Sequence, residues 1–440
     1  MRPRCMTPVI RACSTVLACA CAVAALAGCS SGRGPPRSAP DAYALDVTTA
    51  GRVRWQVPLA GPSRLSPLAV GAVAVFAESD VLCGLILADG HRVWSRAMSQ
   101  PIAGMWRWHA LVIVLTDGAG GSPLLTGLDA STGQARWTRL IAAGVDGSYP
   151  TADGGLAILR WDDTLEVVDM SSGRVRWTRP AGFSADAGQG YPAPMAVAGG
   201  AVLLAVFGQL TSYDDRTGRI RWTDALMPIY LAAIQGGLSL QAAAGLVYVT
   251  GVEPYGASGQ PRQVLLGISA ADGRVKWRFA PSPPETLGNY APGLLSVTSS
   301  SGRTWQDEVD PATGRVRWQV ASAYNAIATP AGIVAGPGPD STGQISLRYM
   351  LTGQTRWIAR LAGLTFGWQQ QAAALPVFPA GPLLIVPASD RVGPDLLTAL
   401  RMSDGHRAWQ LKIPEPVTAP PSAVPGGMLV YSAAPVEYAP

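Results

Sequence analysis

Residues 128–137 read Leu128-Asp-Ala-Ser-Thr-Gly-Gln-Ala-Arg-Trp137, and this stretch decides the fold. An apolar run ends at Asp129, polar residues follow, and Gly133 can take the positive φ of a tight turn. A second run leaves through Trp137, so the stretch predicts a short β-hairpin in which Asp and Thr side chains satisfy turn amides. Because neighbouring strand residues point to opposite faces, we expect Trp137 to point inward and Arg136 outward.

The same four-residue spacing from glycine to tryptophan occurs nine times along the chain. Successive tryptophans lie 39 to 55 residues apart, a period typical of radial β-repeats. The residue before the tryptophan is basic in seven of the nine units. We predict that these tryptophans are structural and call them the docking tryptophans: Trp55, Trp94, Trp137, Trp177, Trp222, Trp277, Trp318, Trp357 and Trp409.

Further apolar runs lie between the hairpins, for example at 68–76, 111–115 and 383–386, each interpreted as a strand. They are rich in β-formers, are bounded by Gly or Pro, and show no helical periodicity. Units of four strands arranged in a ring make an all-β fold, the β-propeller, with four-stranded blades.

The terminal segments predict how the ring closes. Residues 43–46 and 53–57 supply one hairpin without inner strands, and residues 417–424 and 428–432 supply two strands without a closing hairpin. We expect the N- and C-terminal strands to share one blade, which protects the edges that an open sheet would expose. Eight full units and this composite unit make nine blades, with eight as the alternative if one unit is degenerate.

The amino-terminal residues have the pattern of a cleaved export signal. Arginines 2, 4 and 11 precede an uncharged segment, 15–27, that is too short to span a bilayer. It ends at 26–29, Leu-Ala-Gly-Cys, which resembles the lipobox of bacterial lipoproteins. In that family the chain is cut before the cysteine, which is then acylated. The resemblance implies lipidation of Cys29, and ordinary cleavage near Gly28 with a free Cys29 is the alternative.

These predictions divide the chain into three parts: a signal peptide at 1–28, a lipidated tether at 29–40, and one propeller domain at 41–440. Each buried methylene of an acyl chain contributes about 0.8 kcal/mol, so several acyl chains together anchor a protein stably. The chain carries 34 basic and 29 acidic residues, but residues 1–28 hold three arginines and no acidic residue. The mature chain is therefore nearly neutral, and its charge gives no argument for a nucleic-acid partner.

Few side chains of the mature chain suit catalysis or metal binding. Cys83 lies among apolar residues and is predicted to be a buried small hydrophobe. Asp162 and Asp163 could bind a cation or act as an acid pair, with a solvated loop as the alternative. We expect no metal site, because the three histidines are scattered without zinc-ligand spacing: His91, His109 and His406.

The string Asp-x-x-Thr-Gly-x-x-x-Trp, present at 129–137, 214–222 and 310–318, resembles the tryptophan-docking motif of PQQ-like propellers. That superfamily includes the quinoprotein alcohol dehydrogenases and the non-enzymatic propeller lipoprotein of the outer-membrane β-barrel assembly machinery. The resemblance covers nearly all of the mature chain. It implies a PQQ-like propeller, which usually has eight blades.

The enzyme branch of this superfamily holds its cofactor over adjacent disulfide-bonded cysteines, with Ca²⁺ and a catalytic Asp. The mature chain has no adjacent cysteine pair and no c-type haem motif. We therefore expect no enzymatic activity and no bound cofactor.

Residues that interrupt the repeat are the candidate functional residues, since repeat proteins place variation on the binding face. Trp106 and Trp108 lie on one face of a predicted strand, off the docking register, and Trp368 occupies a similar position between units. Exposed tryptophans would suit an interface hot spot. The alternative is that these aromatics plug the central channel or pack between blades.

The sequence favours a lipid-anchored extracytoplasmic propeller that binds or scaffolds envelope or membrane proteins. It would face the periplasm or the cell surface, held to a membrane by its lipid. One alternative is a sensor or carrier of a small molecule, with polar and aromatic side chains converging at one channel mouth. Another is an enzyme, either a divergent PQQ-dependent dehydrogenase, with bound calcium or quinone absorbance, or a hydrolase.

Overall fold

The computed structural model describes residues 41–46, 51–59, 65–78, 80–118, 122–182, 195–206, 209–225, 240–243, 245–253, 262–280, 286–291, 294–298, 304–310, 312–321, 326–329, 331–335, 343–361, 377–388, 395–413, 417, 421–424 and 427–432. The predicted signal peptide and tether, with Cys29, and also Trp368 lie outside these residues. Every regular element in the described ranges is a β-strand, which confirms the all-β class. Those ranges hold no helix of the length and apolarity that crossing a membrane requires.

The described residues form 36 strands in nine four-stranded antiparallel sheets. Sheet 1 contains β3 (Leu68–Val70), β4 (Val73–Glu78), β5 (Val81–Ile86) and β6 (Arg92–Ala97). Sheet 2 contains β7 (Ile102–Trp108), β8 (Leu111–Thr116), β9 (Leu124–Asp129) and β10 (Ala135–Leu140). Sheet 3 contains β11 (Val145–Pro150), β12 (Gly155–Arg160), β13 (Thr164–Asp169) and β14 (Val175–Pro180). Sheet 4 contains β15 (Met195–Ala198), β16 (Ala201–Val206), β17 (Gln209–Asp214) and β18 (Ile220–Ala225).

The next four sheets follow the same chain order. Sheet 5 contains β19 (Leu240–Ala243), β20 (Leu246–Glu253), β21 (Arg262–Ser269) and β22 (Val275–Phe279). Sheet 6 contains β23 (Thr286–Ala291), β24 (Leu294–Thr298), β25 (Thr304–Val309) and β26 (Val316–Ala321). Sheet 7 contains β27 (Ala326–Thr329), β28 (Gly332–Ala335), β29 (Gln344–Arg348) and β30 (Thr355–Arg360). Sheet 8 contains β31 (Phe378–Ala380), β32 (Leu383–Ala388), β33 (Asp395–Arg401) and β34 (Arg407–Ile413).

The ninth sheet, which we call the composite sheet, takes two strands from each end of the chain. It contains β1 (Asp41–Asp46), β2 (Arg52–Pro58), β35 (Ser422–Val424) and β36 (Gly427–Ser432), in the order β2-β1-β36-β35. β1 pairs with β36 along its whole length, from Asp41 opposite Ser432 to Asp46 opposite Gly427. This is the pairing that the sequence predicts for the terminal segments.

Two predicted strands have other bounds in the structure. The run 68–76 was interpreted as one strand, but it is a hairpin of β3 and β4 that turns at Gly71, where φ is +61°. The sequence does not indicate this turn, because the alternating small and branched residues of the run are equally typical of one continuous strand. The run 417–424 is not one strand either, because Pro421 lies outside the strands; β35 covers 422–424, and Val417 lies in an isolated bridge.

The hairpin between the third and fourth strand of a sheet turns at the predicted glycine. In β9–β10, Gly133 has a φ of 68°, and its N–H donates to the carbonyl of Asp129 at 2.8 Å. The Oδ1 atom of Asp129 accepts from the amides of Ser131 at 3.0 Å and Thr132 at 3.2 Å. The turn amides are thus satisfied by the side chain that the sequence indicates.

A β-bulge precedes each docking tryptophan. In β9–β10, Ala135 lies opposite Leu128 and Trp137 lies opposite Gly127, so Arg136 is the extra residue. The same register shift recurs in the other eight sheets. The outward position of the basic residue therefore arises from a bulge rather than from simple strand alternation. A bulged residue has no partner across the ladder, so its side chain can reach back to the turn.

The hydrophobic core lies between neighbouring sheets rather than at one centre. Trp177 of sheet 3 packs with Leu204 of sheet 4, and similar clusters join other neighbouring sheets. The composite sheet packs on both sides, with Ala44 against Phe76 of sheet 1 and Val430 in one cluster with Trp409 of sheet 8. The composite sheet and sheets 1 to 4 thus pack against a neighbouring sheet on both faces, as blades of a propeller do.

Candidate functional site

Each docking tryptophan packs against the turn glycine of the next sheet. A Cβ added to Gly133 would lie 2.6 Å from Cδ2 of Trp94, so only glycine fits beneath the ring. The contacts run in one series: Trp55–Gly90, Trp94–Gly133, Trp137–Gly173, Trp177–Gly218, Trp222–Gly273, Trp277–Gly314, Trp318–Gly353, Trp357–Gly405 and Trp409–Gly51. The last contact returns to the start of β2.

Trp94 shows how the ring is held on its other sides. A Cβ on Gly84, which lies opposite Trp94 in sheet 1, would collide with the indole. The indole N–H donates to the carbonyl of Ala130 in sheet 2 at 2.9 Å. Trp94 is only 9% exposed, so the apolar surface of the ring is buried. Its one polar group, the indole N–H, has a hydrogen-bond acceptor. The contact holds the turn of one sheet against the tryptophan of the sheet before it. Neighbouring turns therefore have fixed positions relative to one another.

An ion pair closes the turns of sheets 2, 3, 4 and 6, and we call it the turn clamp. The bulged Arg136 places Nη2 2.7 Å from Oδ2 of Asp129, the first residue of its turn. The same clamp joins Asp169–Arg176 at 2.8 Å, Asp214–Arg221 at 2.8 Å and Asp310–Arg317 at 3.1 Å. In each of these four sheets the clamp pairs an arginine of the fourth strand with the aspartate of the same turn.

The clamp at Asp214 predicts a pH-dependent stability. Hydrogen bonds from Arg221 and Thr217 lower the pKa of Asp214 from 3.8 to about 2. Because the folded pKa lies below the unfolded one, the carboxylate stabilises the fold above about pH 4, and this contribution is lost as the pH falls through about 2. We expect Asp214→Asn to lower the free energy of unfolding by about 0.5–1.5 kcal/mol at pH 7 and by much less at pH 2.

Urea denaturation at pH 7, 4 and 2 measures this effect. Asp117→Asn is the matched control, since exposed Asp117 joins no ion pair within the described ranges, and its substitution should change little at any pH. A cost of Asp214→Asn that is equal at pH 7 and pH 2 would show that the charge of the carboxylate is not its cause.

Trp106 and Trp108, the candidate interface residues, lie on β7. Both are half-buried and pack against the cluster between sheets 2 and 3. The ring of Trp108 covers Gly154 in the turn that begins β12, and its centroid lies 4.4 Å from that of His109. This position corresponds to packing between blades, which is the alternative that the sequence left open. That Trp106 and Trp108 contact a partner protein remains a prediction.

The other side chains considered from the sequence lie apart from one another. Cys83 is fully buried, and burial raises the pKa of its thiol far above the usual range. Asp162 pairs with Arg160 in the exposed β12–β13 turn, with Nε to Oδ1 at 3.0 Å, so it acts as an ion-pair partner there. Over the ranges that the structure describes, no three His, Cys, Asp or Glu side chains group so that they could hold a metal ion.

Sequence reasoning missed one irregular turn. In sheet 7 the turn reads Tyr349-Met-Leu-Thr-Gly353, so a tyrosine stands where four other turns have the clamp aspartate. Aligning the turns on their glycine, rather than searching for glycine and tryptophan alone, would have found it.

Four-stranded sheets linked by tryptophan–glycine docking define a PQQ-like β-propeller. A profile of the family described as outer membrane protein assembly factor BamB matches residues 37–143, 110–185 and 162–335. These ranges span more than half of the chain, and the chain belongs to this family.

Several solved structures are similar in fold at low sequence identity. BamB from Moraxella catarrhalis is 16% identical over 84% of this chain and 96% of that chain, with a TM-score of 0.44. A europium-containing methanol dehydrogenase is 14% identical over 70% and 79%, with a TM-score of 0.43. Quinohemoprotein alcohol dehydrogenase from Comamonas testosteroni is 12% identical over 91% and 77%, with a TM-score of 0.42. The comparison with curated proteins gives no match.

Proposed function

We propose that this protein is a lipid-anchored β-propeller that binds other proteins at the extracytoplasmic face of the cell envelope and acts there as an assembly scaffold. Membership of a family described as an outer membrane assembly factor is the observation that carries the proposal. The geometry supports it, because docking contacts hold the turns of neighbouring sheets in fixed relation. Loops on a rigid frame can present one binding surface built from several sheets.

We also propose that the protein is not an enzyme. A quinoprotein dehydrogenase site needs adjacent cysteines beside its cofactor, and residues 29–440 contain only Cys29 and Cys83. Cys83 is fully buried in sheet 1, in a cluster with Phe76 and Leu85. The residues present therefore do not fit the cofactor of that branch.

The proposal predicts that Cys29→Ser separates the protein from its membrane and its partners. The substitution removes the thiol that the lipobox-like segment 26–29 would present for acylation. We expect the variant to lose labelling by radioactive palmitate and to move to the soluble fraction or to stay uncleaved. Ser31→Ala, two residues further along the tether, is the control and should keep both properties. Unchanged labelling and membrane fractionation in Cys29→Ser would contradict the anchor.

Crosslinking in intact cells tests the binding function on the same strains. The full-length protein is crosslinked, purified by affinity and analysed by mass spectrometry. We expect one or two recurring envelope proteins from the wild type and a strongly reduced yield from Cys29→Ser. A wild-type protein recovered as a monomer, with no recurrent partner, would contradict the scaffold function.

A further inference from the structure

The turn of sheet 7 keeps the backbone geometry of the other turns but has no acidic side chain. The turns of sheets 2, 3, 4 and 6 carry Asp at the first position, and those of sheets 1, 5 and 8 carry it directly before the glycine. The N–H of Gly353 donates to the carbonyl of Tyr349 at 2.9 Å, and Gly353 has a φ of 66°. The backbone thus matches that of the turn at Gly133. Only side chains differ, and Tyr349 occupies the position of the clamp aspartate.

Arg356 stands at the position of the clamp arginine, and neither it nor the nearby Arg348 has an acidic partner among the described residues. The guanidinium of Arg356 lies over the ring of Tyr349 at 5.8 Å, and no carboxylate in the described part of the chain pairs with it. Arg348 stands at the strand position that Leu128 occupies in sheet 2. Its Nη1 donates to the carbonyl of Gly353 at 3.0 Å, and its buried Nε has no partner among the described residues.

The same turn also exposes large apolar side chains at the surface. Leu351 is 68% exposed and Tyr349 is 49% exposed, and the position of Leu351 is a serine in the turns of sheets 2 and 3. A groove of about 760 Å³ lies beside them, lined also by Ala331 and Met350. A second groove, of about 570 Å³, shares Ala331 and extends along Arg356 toward sheet 8.

We infer that this surface, formed by Tyr349, Leu351, Arg356 and the adjoining groove, binds a segment of an envelope protein that carries a carboxylate beside large apolar side chains. The inference rests on the proposed function and names the surface and the chemistry of its partner. Charge complementarity supports it, because a carboxylate would supply the anion that the turn has lost. Tyrosine and arginine are enriched at the centre of protein interfaces, and the exposed Leu351 adds apolar area beside them.

Photocrosslinking at residue 351 tests the inference in the full-length protein in intact cells. Leu351 is replaced by p-benzoylphenylalanine, and the matched control carries it at Ser131, the same turn position in sheet 2. We expect crosslinks from position 351 only, to partner segments whose sequences hold Asp or Glu beside Leu, Phe or similar residues. Tyr349→Asp should pair Arg356 as in the other clamps and, like Arg356→Gln, should lower the crosslink yield about tenfold or more.

Four results would overturn the inference. Equal yields in the wild type and both charge variants would show that no carboxylate is recognised. Crosslinks to lipid alone would assign the surface to the membrane, and crosslinked segments without acidic residues would reject the partner chemistry. Absence of crosslinks at 351, while crosslinking of the whole protein still recovers partners, would reject this surface and leave the proposed function standing. Thermal unfolding of each variant checks that it is folded.

Discussion

Trp177→Ala is expected to lower the free energy of unfolding by about 3–5 kcal/mol. Trp177 is 6% exposed, and its ring stacks with Tyr213 at a centroid distance of 6.0 Å. Its N–H donates to the carbonyl of Asp215 at 2.9 Å. Alanine would leave a cavity between sheets 3 and 4 and an unsatisfied carbonyl, and both effects destabilise the fold.

Urea denaturation followed by circular dichroism measures the loss. Trp161→Ala serves as the control, because Trp161 has the same side chain but is 71% exposed in the β12–β13 turn. We expect the control to lower stability by less than about 1 kcal/mol. Similar losses in the free energy of unfolding for the two variants would show that Trp177 is not a core residue.

A second large effect is expected for Gly133→Ala. At a φ of 68°, any side chain carries left-handed strain of about 1–2 kcal/mol. The new Cβ would also lie 2.6 Å from Cδ2 of Trp94, and such overpacking adds about 1–3 kcal/mol. Because the contact is this short, the ring of Trp94 or the turn itself must shift.

Gly71→Ala separates the two contributions. Gly71 has a φ of 61°, but no atom lies within 4 Å of an added Cβ, so only the backbone strain should remain. Urea denaturation of both variants should show that Gly133→Ala is more destabilising by about 1–3 kcal/mol. Equal losses would mean that the tryptophan gives way without resistance and that docking does not require the glycine.

The repeat was readable from sequence because it rests on local geometry. Turn glycines such as Gly133 need a positive φ, and Asp129 caps the turn within three residues, so short spacing specifies both. The bulge at Arg136 escaped prediction because the alternation rule assumes a regular ladder. The turn at Gly71 was hidden because small apolar residues suit both a strand and a tight hairpin.

The candidate site was less predictable, because it depends on contacts between units. The position of Trp108 against Gly154 joins two sheets, and no local pattern shows it. Alignment of the turns would identify Tyr349 as unusual. That it replaces an ion-pair partner is evident only from the structure, which shows Asp129 paired with Arg136 at this position in sheet 2. The anchor at Cys29 lies outside the described residues and stays a prediction from sequence.

The composite sheet also sets an order of events during biosynthesis. Of the described strands, β1 and β2 are made first, and β36, which pairs with β1, is made last. Until β36 has left the ribosome, the edge of β1 that pairs with it has no partner in its own sheet. The composite sheet is therefore the last of the nine described sheets that can be completed during synthesis, and until then this edge strand is open to pairing with another chain.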